Sequence, residues 1–121
     1  MKTRLTHTRA NVSDLHRSIE WYEKIIGFEC TGADITDRWQ YAQFESEEGA
    51  DFSIMVADTS GASARFNFSV DDVDALWDRL TDKVPVVEPI ETMPYGNRKF
   101  TIADPDGNEL GFVQKGYADG N

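Results

Sequence analysis

The ten residues Thr6-His7-Thr8-Arg9-Ala10-Asn11-Val12-Ser13-Asp14-Leu15 return, in altered form, as Ala64-Arg65-Phe66-Asn67-Phe68-Ser69-Val70-Asp71-Asp72-Val73. Each copy is a short alternating run, then Val, one further residue, Asp and an apolar residue, then an amphipathic stretch. The copies start at positions 6 and 64, 58 apart in a chain of 121 residues, so they read as two halves of one domain rather than links of an open array. Equivalent positions can therefore be compared across the halves, and function is sought where they differ.

Working outward from the first copy, residues 4–12 read as a strand. Thr8, Ala10 and Val12 fall on one face and His7, Arg9 and Asn11 on the other. Asp14 is placed to cap a helix in which Leu15, Ile19, Tyr22 and Ile26 recur at helical spacing, and Gly27 ends it. Phe28-Glu29-Cys30 opens a second strand. Arg38 to Phe44 and Asp51 to Ala57 read as two more, joined by the acidic turn Glu45 to Ala50.

The second half repeats this scheme. Phe66, Phe68 and Val70 alternate with Arg65, Asn67 and Ser69, and Asp71 or Asp72 caps a helix carrying Val73, Leu76, Trp77 and Leu80. Val84 to Val87 reads as a short strand. Arg98 to Ala103 and Glu109 to Gln114 form a hairpin around Asp104-Pro105-Asp106-Gly107-Asn108. The polar tail from Lys115 to Asn121 is expected to fray, and Thr59 to Ala64 is a short linker. The expected fold is α+β, a single domain over 1–121 built of two βαβββ modules, about 4–58 and 62–115. Two polar strand faces turned away from their helices are costly unless they meet water or a ligand. The expected solution is a curved mixed sheet whose concave side forms a groove.

Composition narrows the function classes. With 40% hydrophobic residues the chain has material for one core. A formal charge of -10 argues against nucleic acid and against an anionic membrane surface, both of which require clustered Lys and Arg. It is compatible with a cationic ligand, whose approach a negative field would speed. The lone Cys30 allows no internal disulfide, and no apolar run is long enough for a signal peptide or membrane span, so a cytoplasmic location is expected.

These residues together resemble the vicinal oxygen chelate superfamily, which includes glyoxalase I, bleomycin resistance proteins, fosfomycin resistance proteins and extradiol dioxygenases. The resemblance is carried by Leu5-Thr6-His7, Val12-Ser13-Asp14-Leu15, Ser18-Ile19-Glu20-Trp21-Tyr22 and Ile26-Gly27-Phe28 in the first half. In the second half it is carried by Val70-Asp71-Asp72-Val73-Asp74-Ala75-Leu76, Tyr95-Gly96-Asn97-Arg98 and Asp104-Pro105-Asp106-Gly107-Asn108-Glu109-Leu110. It spans roughly residues 4–114. The superfamily's metal enzymes take ligands from the first strand of each half and the last strand of the second, which the resemblance maps to His7, Arg65 and Gly111. Arginine offers no lone pair and glycine no side chain, so one ligand of three remains, where a catalytic site needs about three.

The resemblance thus implies a small-molecule binding protein of the bleomycin-resistance type, a homodimer that sequesters its ligand without a metal cofactor. The alternative is a metal-dependent lyase or dioxygenase with an atypical set in which Glu109, two residues from Gly111, joins His7 around a divalent ion. A metal-independent enzyme with His7 as general base is a third reading. The expected ligand-binding residues are His7, Trp39, Tyr41, Met55, Arg65, Tyr95, Arg98 and Glu109. Several have a second reading. Arg65 either pairs with an anionic ligand group or forms an internal ion pair with Glu109. Trp39, Tyr41 and Tyr95 either stack on a planar ligand or pack in a core or dimer contact. The Asp104 to Asn108 segment is a turn and not a calcium loop, because Glu109 stands at the loop's required glycine and Lys115 at its closing glutamate.

Overall fold

Both copies of the repeat fold as βαβββ. The computed structural model describes residues 1–60 and 64–118; the linker positions 61–63 and the tail positions 119–121 lie outside the described residues. Two units separate, Met1–Ala62 and Ser63–Asn121. The first holds β1 (His7–Val12), α1 (Leu15–Trp21), a π-helical turn (Tyr22–Ile26), β2 (Cys30–Ile35), β3 (Gln40–Phe44) and β4 (Asp51–Val56). The second holds β5 (Arg65–Ser69), α2 (Val73–Leu80), β6 (Val86–Thr92), β7 (Arg98–Ala103) and β8 (Glu109–Gln114). Each unit carries its own four-stranded mixed sheet, in the orders β1-β4-β3-β2 and β5-β8-β7-β6. The first strand lies parallel to the last in each, and the other pairs are antiparallel.

Local chemistry sets the element ends. The Asp14 carboxylate accepts the Arg17 N–H at 2.9 Å, and Asp72 accepts that of Ala75 at 3.0 Å, satisfying first-turn amides that have no helical partner. The first helix widens at its end, where the N–H groups of Gly27 and Phe28 both donate to the Tyr22 carbonyl, at 3.0 and 2.9 Å. Gly27 has φ 97°, a left-handed conformation that glycine adopts without a side-chain penalty. The turn seats Tyr22, fully buried, among Trp21, Phe28, Phe44 and Phe52 at ring distances of 5.0 to 5.9 Å. In the second unit Trp77 of α2 meets Phe100 edge-on at 5.2 Å, and Phe112 packs between Phe100 and Phe68.

Several expectations shift. The first strand starts at His7 rather than residue 4, because its neighbour β4 starts opposite it at Asp51. The third starts at Gln40 rather than Arg38, since the Thr36 hydroxyl accepts the N–H groups of Arg38 and Trp39 and makes that segment a turn. The strand expected at Val84 to Val87 runs instead from Val86 to Thr92, through Pro89. An edge strand tolerates proline, and the pairing with β7 is irregular around it. The described part of the tail is anchored, not frayed. Ala118 N–H donates to the Gly96 carbonyl at 3.0 Å, and Gly116 N–H to the Asn97 side chain at 3.1 Å. The Tyr117 hydroxyl donates to Asp74 at 2.6 Å. None of the helices among the described residues is long and apolar enough to cross a membrane.

Candidate functional site

Alternation along each strand gives each sheet a helix-packed face and an open face. In the first module Ala10, Val12, Ala42, Phe44, Phe52 and Ile54 are buried against α1. The opposite face is built in rows, since residues paired across strands share a side. His7 pairs with Asp51; Arg9 with Ser53 and Gln43; Asn11 with Met55, Tyr41 and then Asp34.

Polar contacts order this surface. The Tyr41 hydroxyl donates to Gln43 at 3.3 Å, and the Gln43 amide donates to Asp51 at 3.4 Å. The Trp39 indole N–H donates to Asp34 at 2.9 Å, which ties this aromatic to the end of the same face. Ser53, fully buried, donates to the Thr8 carbonyl at 2.7 Å. Arg9 Nη1 lies 3.0 Å from the Met55 sulfur. His7 Nδ1 is 3.0 Å from the Thr6 hydroxyl, at the opposite end of β1 from the aromatics.

The second module has the same register and different chemistry. Arg65 pairs with Glu109, and Asn67 with Gly111 and Thr101. Arg65 donates to Glu109 Oε1 through Nε at 2.9 Å and Nη2 at 2.7 Å, and to Glu88 through Nη1 at 2.7 Å. The Thr101 hydroxyl also donates to Glu88, at 3.0 Å. These contacts raise the Arg65 pKa, with the Glu109 hydrogen bond the largest cause. Glu88 is held below the ordinary carboxylate range, first by the Thr101 hydroxyl and then by the Arg65 charge. The internal ion pair with Glu109, one of the two readings of Arg65, is formed.

The Asn67 side chain fills the space beside Gly111, where a Cβ would stand 2.1 Å from Asn67 Oδ1. The three positions mapped to a metal therefore present one imidazole, one guanidinium already bound to two carboxylates, and a glycine covered by an amide. Glu109, the alternative ligand, is the acceptor for Arg65. This set does not fit a three-ligand cation site.

Two sequence-chosen residues of the second module stand apart from its open face. Arg98 lies on the helix side of β7, in alternation with the buried Phe100 and Ile102. It donates to Asp74 at 2.8 Å and to Thr92 at 2.8 Å, and sits 5.2 Å from the centre of the Tyr117 ring. Asp74 is correspondingly lowered, by the Tyr117 hydrogen bond first and Arg98 second. Tyr95 is exposed in the turn before β7. Thus the structure brings Trp39, Tyr41 and Met55 together, with His7 further along the same face, and Arg65 with Glu109. Within the second unit it does not bring Arg98 or Tyr95 to the Arg65–Glu109 pair.

Sequence reasoning passed over Arg9, Asp34 and Gln43 in the first module, and Asn67, Glu88 and Thr101 in the second. Arg9 was findable, since it alternates in step with His7. Glu88 was not, because β6 could not be aligned on β7 through a proline and an irregular register. A cleft of about 340 Å³ opens elsewhere in the first module, among Asp14, Leu15, His16, Ile19, Ile35 and Val56. It contains none of the expected site residues, and its one acid, Asp14, is engaged as a helix cap.

The Glyoxalase family, described as the Glyoxalase/Bleomycin resistance protein/Dioxygenase superfamily, matches residues 4–112. Among solved structures, the chain is similar to a member of that superfamily from Sphaerobacter thermophilus, at 22% identity and TM-score 0.76, covering 94% of this chain and 98% of the other. It is similar to TnmS3, an antibiotic binding protein from a Streptomyces species, at 26% identity and TM-score 0.73, covering 93% and 96%. It is also similar to a lactoylglutathione lyase from Agrobacterium tumefaciens, at 20% identity and TM-score 0.75, covering 95% and 96%. No curated protein matches.

Proposed function

We propose that this chain, which belongs to the glyoxalase/bleomycin resistance protein/dioxygenase superfamily, binds a small molecule without a metal and does not transform it. The observation that carries this reading is the donor set. Polarising vicinal oxygens demands a cation with several fixed protein ligands and an open position. Here Arg65 is itself the cation, neutralised by Glu109 and Glu88. In the first module Trp39, Tyr41 and Met55 offer flat, polarizable contact area beside hydrogen-bonding groups, the usual composition of a ligand surface. The likeness to an antibiotic binding protein agrees with this, whereas the likeness to a lyase at 20% identity speaks only for the fold. A cytoplasmic homodimer is part of the proposal, with sedimentation equilibrium as the check on assembly.

The test is thermal unfolding during titration with Zn, Mn, Ni and Fe(II), followed by a panel of antibiotics and other small molecules. Any species that binds the folded chain alone raises the melting temperature once it exceeds its dissociation constant. The expected outcome is no shift with metal, a shift with at least one organic ligand, and recovery of that ligand unaltered. One tightly held ion per chain, lost in His7→Ala, would establish the metal-dependent alternative instead.

A further inference from the structure

We infer that Arg9 is the recognition group for an acidic function on a planar ligand lying across the open face of the first module, an inference that rests on the binding reading above. Arginine carries five N–H donors in a rigid fork and always bears its charge. In Arg65 three of its nitrogens are engaged by carboxylates, and in Arg98 two are engaged by Asp74 and Thr92. Arg9 spends one nitrogen on the Met55 thioether, a weak acceptor, and makes no ion pair among the described residues. It is exposed, yet it stands mid-strand between His7 and Asn11 on an ordered surface.

Of the nearby acids, Asp51 accepts from Gln43 and Asp34 from the Trp39 indole, and neither forms an ion pair with Arg9. The face therefore keeps a charged fork with unused donors in a chain whose formal charge is -10. Net charge favours cations at a distance, but its reach is limited to about 8 Å at physiological salt. Contact with the fork decides the sign of the group recognised there.

The dimensions set the size of the ligand. Tyr41 lies on β3, two strands from Arg9 on β1 in the order β1-β4-β3. Two strand spacings are about 10 Å, the reach of a bicyclic aromatic acid laid flat. Its ring would lie on Met55 and Tyr41 toward Trp39, and its carboxylate would accept two parallel N–H groups from Arg9.

The probe is 2-naphthoate, compared with neutral 2-naphthamide of nearly the same shape. Binding is read from the Arg9 Nε–H and Trp39 indole N–H resonances of the full chain. The acid is expected to bind about tenfold more tightly than the amide, as a charge-assisted hydrogen bond allows. Arg9→Gln should remove that preference while leaving the spectrum otherwise folded, and Arg9→Lys should keep part of it. Equal binding of acid and amide at Trp39 would overturn the role of Arg9 and leave the binding reading standing. Undiminished preference in Arg9→Gln would also overturn it. No perturbation at Arg9 or Trp39 by either probe would overturn the inference, and the antibiotic panel would then decide the binding reading on its own.

Discussion

The open faces of the two modules share one register and hold opposite chemistry. In each, the first residue of the first strand stands opposite a carboxylate at the start of the last strand: His7 opposite Asp51, Arg65 opposite Glu109. In the second module the pair closes into an ion network that also takes in Glu88 and Thr101. In the first, His7 Nδ1 lies beside the Thr6 hydroxyl, and Arg9, next along the face, contacts the Met55 sulfur and forms no ion pair among the described residues. One face satisfies itself and the other keeps unused donors beside aromatic rings. A repeat thus doubles the scaffold at no cost to either half's freedom to diverge, because the backbone ladder fixes position but not side-chain chemistry.

The contrast can be broken most severely from behind the sheets. Phe44→Ala in the first module and Phe112→Ala in the second each remove a ring about 1% exposed and should each cost about 3–5 kcal/mol in denaturant unfolding. If the first module's open face is a binding surface held by its core, Phe44→Ala should also weaken small-molecule binding there.

A smaller effect is expected at Gly111. Gly111→Ala forces the Asn67 side chain to move, at a cost of roughly 1–3 kcal/mol. Combining it with Asn67→Ala should recover most of that loss, and the double-mutant cycle measures the contact directly. Additive losses would mean that Asn67 does not close the space above the glycine.

The mildest change is Arg65→Met, read through pH. Glu88 has a lowered pKa in the folded chain, so its contribution is fully present above the unfolded value near about 4.3 and fades as pH falls through the lower folded value. Removing Arg65 takes away its charge and its hydrogen bond, leaves the Thr101 hydroxyl and the Lys99 charge, and should move Glu88 upward. The stability difference between wild type and variant should therefore be greatest near neutrality and shrink on acidification. A difference independent of pH would show that Arg65 acts by packing and not by charge.

Much of the scaffold is legible in the sequence. Asp14 and Gly27 act locally, one through a side-chain oxygen and the other through a left-handed backbone, so their neighbours in sequence suffice to read them. The same holds for the turn around Gly107, where Asp104 accepts the amides of Asp106 and Asn108 at 2.9 and 2.8 Å. The site was legible only in part. Trp39, Tyr41 and Met55 share a face that alternation reveals, but Arg98 also alternates and lands on the helix side, because the strand's start fixes its phase. The described part of the tail departs from the expected fraying since Tyr117 is held by Asp74, 43 positions away.

By itself, then, the sequence determined the repeat, the βαβββ order, and the caps and turns, while the family resemblance mapped His7, Arg65 and Gly111 to the superfamily's metal-ligand positions. The caps and turns follow from the identity of a residue and the few beside it. Tertiary structure alone decided that Glu88 joins Glu109 on Arg65, that Asn67 covers Gly111, and that Arg9 forms no ion pair among the described residues. Those outcomes depend on which strands lie side by side and in what register. Such contacts span 23 to 46 positions of chain, and no local pattern encodes them.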